Sequence, residues 1–140
     1  MTADRIRLGR LKRLEKLRAI VRQGALAEAG RAEARLTRLE TMAERTAGLI
    51  DDYARRNDAA CGADLVRERL YLGELHRLAV QNHAEVAQAR AVADARAAEA
   101  AIAERRRAAV EDRAAATQAR ITRDAGAASV PLGARPAPKT

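Results

Sequence analysis

Aromatic side chains are nearly absent from this chain, which has two tyrosines and neither phenylalanine nor tryptophan among 140 residues. The core of a compact domain needs bulky side chains, whereas much of the 48% hydrophobic content here is alanine. A composition dominated by Ala, Arg, Glu and Leu is typical of long helices and coiled coils. We therefore expect an elongated helical molecule and not a compact enzyme domain.

Proline, cysteine and long apolar runs are also scarce. The three prolines all lie in the last ten residues, so no proline interrupts a helix before Pro131. The single cysteine, Cys61, has no disulfide partner in the chain, which fits a reducing compartment. We interpret it as a small turn residue and not as a reactive thiol. Because no apolar run has the required length, we expect neither a secretory signal nor a transmembrane helix.

Residues with catalytic chemistry are few and scattered. The only serine is Ser129, and the sequence has no glycine-rich phosphate loop and no cysteine–histidine cluster. His76 and His83 would lie roughly 10 Å apart along a helix, which is too far for both to hold one metal ion. The carboxylates alternate with arginines at helical spacing, which indicates surface ion pairs. We expect no enzymatic activity, no cofactor and no metal site.

Apolar residues recur at alternating spacings of three and four on both sides of a short break around Gly62. This rhythm is the mark of a helix that buries a narrow stripe against another helix. The predicted stripe of the first helix is Leu11, Leu14, Val21, Ala25, Ala32, Leu36, Leu39, Ala43, Ile50 and Tyr53. That of the second is Leu72, Leu75, Ala79, Val86, Ala89, Ala93, Ala100, Ala103, Val110, Ala114 and Ile121.

The register of the two stripes indicates antiparallel pairing. In an antiparallel pair, the numbers of facing residues add to a constant, which is roughly 125 for these stripes. The pairs that meet this condition are Ile50 with Leu75, Leu39 with Val86, Ala32 with Ala93 and, nearly, Leu14 with Val110. The favoured fold is an all-α, antiparallel two-helix coiled-coil hairpin. A helical bundle built with other chains stays open, because the sequence does not say which partner covers the stripe.

The break and the tail set the predicted boundaries. Gly62 can adopt the left-handed conformation that closes a helix, and Asp64 can cap the helix that follows. The Gly-, Pro- and Ala-rich C-terminal segment has no periodicity and is expected to be disordered. The predicted hairpin domain, 1–124, comprises a helix over 5–57, a turn over 58–63 and a helix over 64–123, and a disordered tail occupies 125–140.

Positive charge is concentrated at the N-terminus. Residues 1–22 contain eight cations against Asp4 and Glu15, which accounts for six of the formal net charge of +8. In a hairpin, this charge lies at the end away from the turn, and Arg105–Arg107 of the second helix would extend it. An asymmetry of this kind indicates a docking surface for an acidic partner.

Four interpretations of the basic end compete. Nucleic acid is disfavoured, because stacking aromatics and recognition motifs are missing. An anionic membrane is possible, since four leucines accompany the cations. An acidic protein surface and an ordinary solvated helix face are the two favoured interpretations. The leucines are Leu8, Leu11, Leu14 and Leu17.

The start of the second helix is more apolar than one seam requires. Tyr71 and Leu78 fall partly outside the stripe, so this region is a candidate contact surface, with tight packing near the turn as the alternative. Farther along, Asn82 is expected on the seam opposite Ala43, where a buried amide can fix the register. Two arginines, at 96 and 107, lie near core positions of the alanine-rich half.

Several of these features resemble the FliJ family of flagellar export proteins. They are the basic, leucine-spaced segment Arg10–Arg18, Tyr53 at the end of the first helix, the turn glycine Gly62, and Tyr71-Leu72 with Leu75 early in the second helix. The resemblance covers most of residues 5–123. Gly73 and the alanine-rich second half depart from a bulkier pattern.

The resemblance implies a non-enzymatic stalk of the flagellar type III protein export apparatus, similar to the coiled-coil shaft of the F-type ATPase gamma subunit and to injectisome stalk proteins. Its partners would be the hexameric export ATPase, the membrane protein of the export gate and export chaperones. Its location would be cytoplasmic, peripheral at the inner membrane. The implied ATPase-docking residues are Arg5, Arg7, Arg10, Arg13 and Arg18, and the implied gate-contact residues are Tyr71, Leu72 and Leu75. The alternatives from other classes are a basic coiled-coil adaptor for nucleic acid or an anionic membrane, and a generic coiled-coil scaffold.

Overall fold

A computed structural model describes residues 2–56, 61–131, 133 and 138. The two helices in this part of the chain are α1, Ala3–Ala54, and α2, Gly62–Ser129. They pack against each other in antiparallel register, which confirms the all-α helical hairpin. Contacts divide the chain into a central unit, Gly24–Ala100, and a terminal unit, Met1–Gln23 with Ala101–Thr140.

The central unit contains the best-packed part of the seam. Leu36 of α1 is buried with Ala89 and Ala93 of α2, and the side chains packed around them are Ala32, Leu39 and Val86. The facing positions again add to roughly 125, as the antiparallel rhythm requires. This cluster brings together Leu39 and Val86, and Ala32 and Ala93, as the predicted antiparallel pairing requires.

The terminal unit continues the strict three-and-four spacing, but through polar residues of α1. Leu8 and Leu11 are followed on the seam by Glu15, Arg18 and Arg22, all half-buried. The opposing seam of α2 is formed by Ala103, Arg107, Val110, Ala114, Thr117 and Ile121.

The predicted seam positions Leu14 and Val21 are wrong, because both side chains are exposed. Val110, the predicted partner of Leu14, is buried as expected. The error follows from choosing the more apolar of two neighbouring residues. Glu15 and Arg22 are half-buried at the interface of this unit instead, and the long Arg22 side chain reaches Glu104 of α2.

The helix boundaries near the break differ from the prediction by two or three residues. At the end of α1, Arg55 N donates an α-helical hydrogen bond to Asp51 O at 3.2 Å. Arg56 N then donates to Tyr53 O, three residues back, at 3.3 Å. Such a tighter turn is usual at a helix end. Part of the predicted turn, 58–60, lies outside the described residues.

Gly62 is helical and does not have a positive φ, so its predicted left-handed cap is wrong. Cys61 O accepts the first hydrogen bond of α2, from Leu65 N at 3.2 Å. Asp64 therefore lies inside the first turn instead of capping it. At this position its negative carboxylate interacts favourably with the positive N-terminal end of the helix dipole.

The C-terminal end of α2 also differs from the prediction. The helix runs through Ser129, so residues 125–129, predicted to be part of a disordered tail, are helical. Alanine has the highest helix propensity, and three alanines outweigh Gly126 in this segment. Pro131 explains the end, because the residue before a proline is disfavoured in helical conformation. The predicted tail residues 132, 134–137 and 139–140 lie outside the described part.

Candidate partner-binding surfaces

The predicted ATPase-docking cations are placed on α1 of the terminal unit. Four of the five, Arg5, Arg7, Arg10 and Arg13, are exposed, whereas Arg18 is half-buried on the seam. The Nε group of Arg13 donates a 3.3 Å hydrogen bond to Gly9 O, one turn back on its own helix. None of the five forms an ion pair with a carboxylate among the described residues.

The two carboxylates of this segment are turned toward α2. Arg120 holds Asp4 through two hydrogen bonds, Nε to Oδ2 at 3.1 Å and Nη2 to Oδ1 at 2.7 Å. Glu15 is half-buried on the seam. The exposed surface of α1 over residues 5–23 therefore displays only positive charge, because Lys12 and Lys16 are also exposed.

A second set of exposed apolar side chains lies on this segment, and it was recognised from the sequence only in part, as Leu14 and Leu17 beside the cations. Leu17 is 59% exposed and Ile20 is 65% exposed, although both are bulky and aliphatic. The complete outer apolar stripe is Ile6, Leu14, Leu17, Ile20 and Val21. Its signal was present in the sequence, since Leu14, Leu17 and Val21 repeat the three-and-four spacing beside the true seam.

An ion-pair network joins the helices within the terminal unit. Arg107 donates from Nη2 to Glu104 Oε1 at 2.8 Å and from Nη1 to Glu111 Oε2 at 2.7 Å, and Arg22 also contacts Glu104. The hydrogen bond from Arg107 lowers the pKa of Glu104 below its ordinary value, and the bond to Glu104 raises the pKa of Arg107 further. Arg107 thus lies near the core as predicted, with its charge compensated.

The predicted gate-contact residues lie on α2 of the central unit and are exposed to very different degrees. Leu75 is only 5% exposed and Leu72 is half-buried, so both belong to the seam. Tyr71 is 43% exposed and borders a shallow groove that Glu74, Leu78 and other neighbours line. The expectation that Tyr71 and Leu78 fall partly outside the seam is confirmed by their exposure of 43% and 41%.

Tyr71 packs against Tyr53 of α1. Its ring centroid lies 4.7 Å from that of Tyr53, with a tilt of 53° between the rings. The Arg56 guanidinium lies 4.4 Å from the Tyr53 centroid, in cation–π geometry. The two tyrosines of the chain therefore form one contact across the helices. Of the exposed apolar residues at the start of α2, Leu70 and Leu78 lie nearest to Tyr71 around the helix and form a patch with it, whereas Leu65, Val66 and Val80 are exposed on other sides of α2.

Other residues singled out in the sequence have simple environments. Asn82 is buried on the seam as predicted, and it donates a hydrogen bond to Thr46 of α1. The predicted position of Arg96 near the core is wrong, because its side chain is exposed and pairs with Glu99 at 3.0 Å on the surface of α2. His76, His83 and the free thiol of Cys61 are exposed, and no group of metal-binding side chains occurs in the described residues.

No protein-family model matches the chain, and no match was found among curated proteins or solved structures. In the described ranges of α1 and α2, no segment is long and apolar enough to span a bilayer. The candidate surfaces are thus defined by their own chemistry: a basic face with an apolar stripe in the terminal unit, and an apolar, tyrosine-braced patch in the central unit.

Proposed function

We propose that this chain is a non-enzymatic stalk and coupling protein of the flagellar type III protein export apparatus. In this function, the basic face of α1 docks on the hexameric export ATPase, and the apolar patch at the start of α2 contacts the membrane protein of the export gate. Export chaperones are the third class of partner. The function implies a cytoplasmic location, peripheral at the inner membrane.

The observation that carries the proposal is the one-sided charge of α1 in a two-helix fold. Because the carboxylates of residues 3–23 are held on the seam side, the exposed cations keep their positive field for an acidic partner. The resemblance of the basic start, Tyr53, Tyr71-Leu72 and Leu75 to the FliJ family supports the choice of an export ATPase and a gate as the partners.

Burial changes which gate residues we expect to contribute most. Because Leu75 is buried in the seam, a partner can contact only the exposed side chains beside it. Tyr71 is the predicted residue best placed to meet a partner, together with Leu70 and Leu78. Leu72 and Leu75 would then position the patch by packing beneath it.

The test mixes the purified chain with the purified export ATPase and measures hexamer assembly and the rate of ATP hydrolysis. We expect both to rise with the wild-type chain. The charge reversal Arg7→Glu/Arg10→Glu should abolish the effect, because it inverts two exposed cations of the docking face. The matched control is Arg38→Glu/Arg45→Glu, which reverses two exposed cations of α1 outside that face.

Unchanged ATPase assembly and turnover with the wild-type chain would contradict the proposal. Equal loss in both double variants would also contradict it, since that result reports net charge and not a specific face. Retardation of DNA or binding to anionic vesicles, without an effect on the ATPase, would instead support the basic-adaptor alternative, with a steep dependence on salt.

A further inference from the structure

The outer apolar stripe of α1 has no partner within the described structure, and it coincides with the basic face. At about 100° per residue, Ile6, Leu14, Leu17, Ile20 and Val21 span an arc of roughly 120° on the helix surface. Each is more than one-third exposed. Bulky aliphatic side chains so exposed and so contiguous mark an interaction site.

Two arginines lie inside this arc and not at its edges. In the angular order around the helix, Arg13 falls between Ile20 and Ile6, and Arg10 falls between Leu17 and Val21. Both are exposed, and neither is paired with a carboxylate in the described ion pairs. The occupant of the stripe must therefore accept aliphatic groups and guanidinium groups side by side.

We propose that this stripe is a ridge that inserts into an apolar groove of a protein partner whose rim carries Asp and Glu side chains. This inference rests on the proposed function and names the chemistry of the partner surface at the ATPase-docking face. Guanidinium groups pair with carboxylates bidentately, so Arg10 and Arg13 match an acidic rim in a way that general positive charge does not.

The other occupants fit less well. A second copy of the chain would bring six exposed cations of residues 5–16 against six more, with no exposed carboxylate on this segment to compensate. The phosphates of a nucleic acid would pair with the cations, but its bases would find no aromatic side chain in the stripe on which to stack. A bilayer favours cations at the edges of an apolar arc, whereas Arg10 and Arg13 would be drawn in at its centre.

Apolar insertion and simple charge attraction respond differently to salt. Exposed charge pairs are screened when the Debye length shrinks to a few ångströms, whereas buried apolar area is not. If the ridge is inserted, binding to the export ATPase should stay measurable at about 0.5 M NaCl, where the Debye length is short. If the face acts only through charge, binding should disappear.

The experiment measures the Kd of the full chain for the purified export ATPase at low and high salt. The variant is Leu17→Gln/Ile20→Gln, which keeps net charge and uses a residue with good helix propensity. The matched control is Val66→Gln/Val80→Gln, two α2 residues that are 58% and 73% exposed. Circular dichroism verifies that both variants keep their helix content.

We expect the Leu17/Ile20 variant to bind at least roughly tenfold more weakly, as for an apolar hot spot, and the control to bind like wild type. Wild-type binding with an unchanged Kd in the Leu17/Ile20 variant would overturn the ridge but leave the proposed function standing. No binding by wild type would remove the proposed function itself. Wild-type binding to phosphatidylglycerol vesicles that is lost in the same variant, with ATPase binding retained, would also overturn the ridge by identifying a lipid occupant.

Discussion

Asn82 of α2 donates a 3.0 Å hydrogen bond from Nδ2 to Oγ1 of Thr46 on α1, and both residues are buried. The Thr46 hydroxyl in turn donates to Met42 O at 3.0 Å, so it bridges the amide to the α1 backbone. A buried polar pair on an otherwise apolar seam fixes one alignment of the helices, because a shift along the seam leaves the amide unpaired.

Replacing the Thr46 hydroxyl by a methyl group should therefore be costly despite the small change in shape. Thr46→Val leaves the Asn82 amide buried without its acceptor, and we expect a loss of about 1–3 kcal/mol in the free energy of unfolding. Thr46→Ser, which keeps the hydroxyl, should lose less. Urea unfolding of the three proteins checks this, and equal stability of wild type and Thr46→Val would show that the bond contributes nothing.

We expect ionisation of Glu104 to contribute to the pH dependence of the free energy of unfolding. The pKa of its carboxyl group is lowered in the folded protein, chiefly by the hydrogen bond from Arg107, relative to an ordinary value of 4.5. A lowered pKa means that the ionised carboxylate stabilises the fold above pH 4.5, and this contribution is lost as the pH falls through the lower folded-state pKa.

We expect Glu104→Gln to be less stable than wild type at neutral pH and the difference to shrink on acidification. Denaturant unfolding at a series of pH values measures it. Glu33→Gln is the control, because Glu33 is exposed and enters no ion pair among the described residues. A constant difference across the acidic range would mean that the carboxylate has the same pKa in the folded and unfolded chains.

Variants of two leucines early in α2 should distinguish an effect on folding stability from an effect on partner binding. Leu75→Ala removes a buried side chain from the seam, and we expect a loss of about 2–4 kcal/mol. Leu70→Gln changes an exposed position and should alter stability by no more than about 0.5 kcal/mol. Thermal unfolding measures both effects.

The same pair tests the proposed gate contact. Leu70→Gln should weaken binding to the purified cytoplasmic part of the gate protein while the melting temperature stays near that of wild type. Weakened binding in Leu75→Ala alone would attribute the effect to unfolding of the seam and would argue against an apolar contact on the exposed side of α2.

The sequence predicted the fold well where one repeat dominates. From Ala25 to Tyr53 and from Leu72 to Ile121, the three-and-four spacing predicted the observed seam, including the position of Asn82. The pattern is decisive there because the residues beside the stripe are mostly polar or small, so only one face of each helix can be buried.

The N-terminal part of α1 could not be resolved in the same way, because it carries two apolar stripes. Leu14 and Val21 are more apolar than Glu15 and Arg22, yet Glu15 and Arg22 are the half-buried residues, and Arg22 contacts Glu104 across the seam. The contact of Arg22 with Glu104 is a pairing of individual charges, and a hydropathy pattern does not contain that information.

The boundaries near Gly62 were missed for a related reason. Glycine permits a left-handed cap but does not require one, and here it occupies an ordinary helical conformation in the first turn of α2. The candidate contact residues were identified by type, yet their accessibility depended on which side of each helix is buried. Leu75 is 5% exposed, whereas Tyr71, one helical turn earlier, is 43% exposed.

The alanine content of the α2 seam determines which mutations can be informative. Because Ala89, Ala93, Ala100, Ala103 and Ala114 are already the smallest chiral residues, an alanine scan cannot alter them. Replacement by Leu or Phe at these sites adds volume to a buried position of the seam. Such substitutions would increase the distance between the helices at chosen positions. Binding measurements on a series of them would show how much separation each partner tolerates.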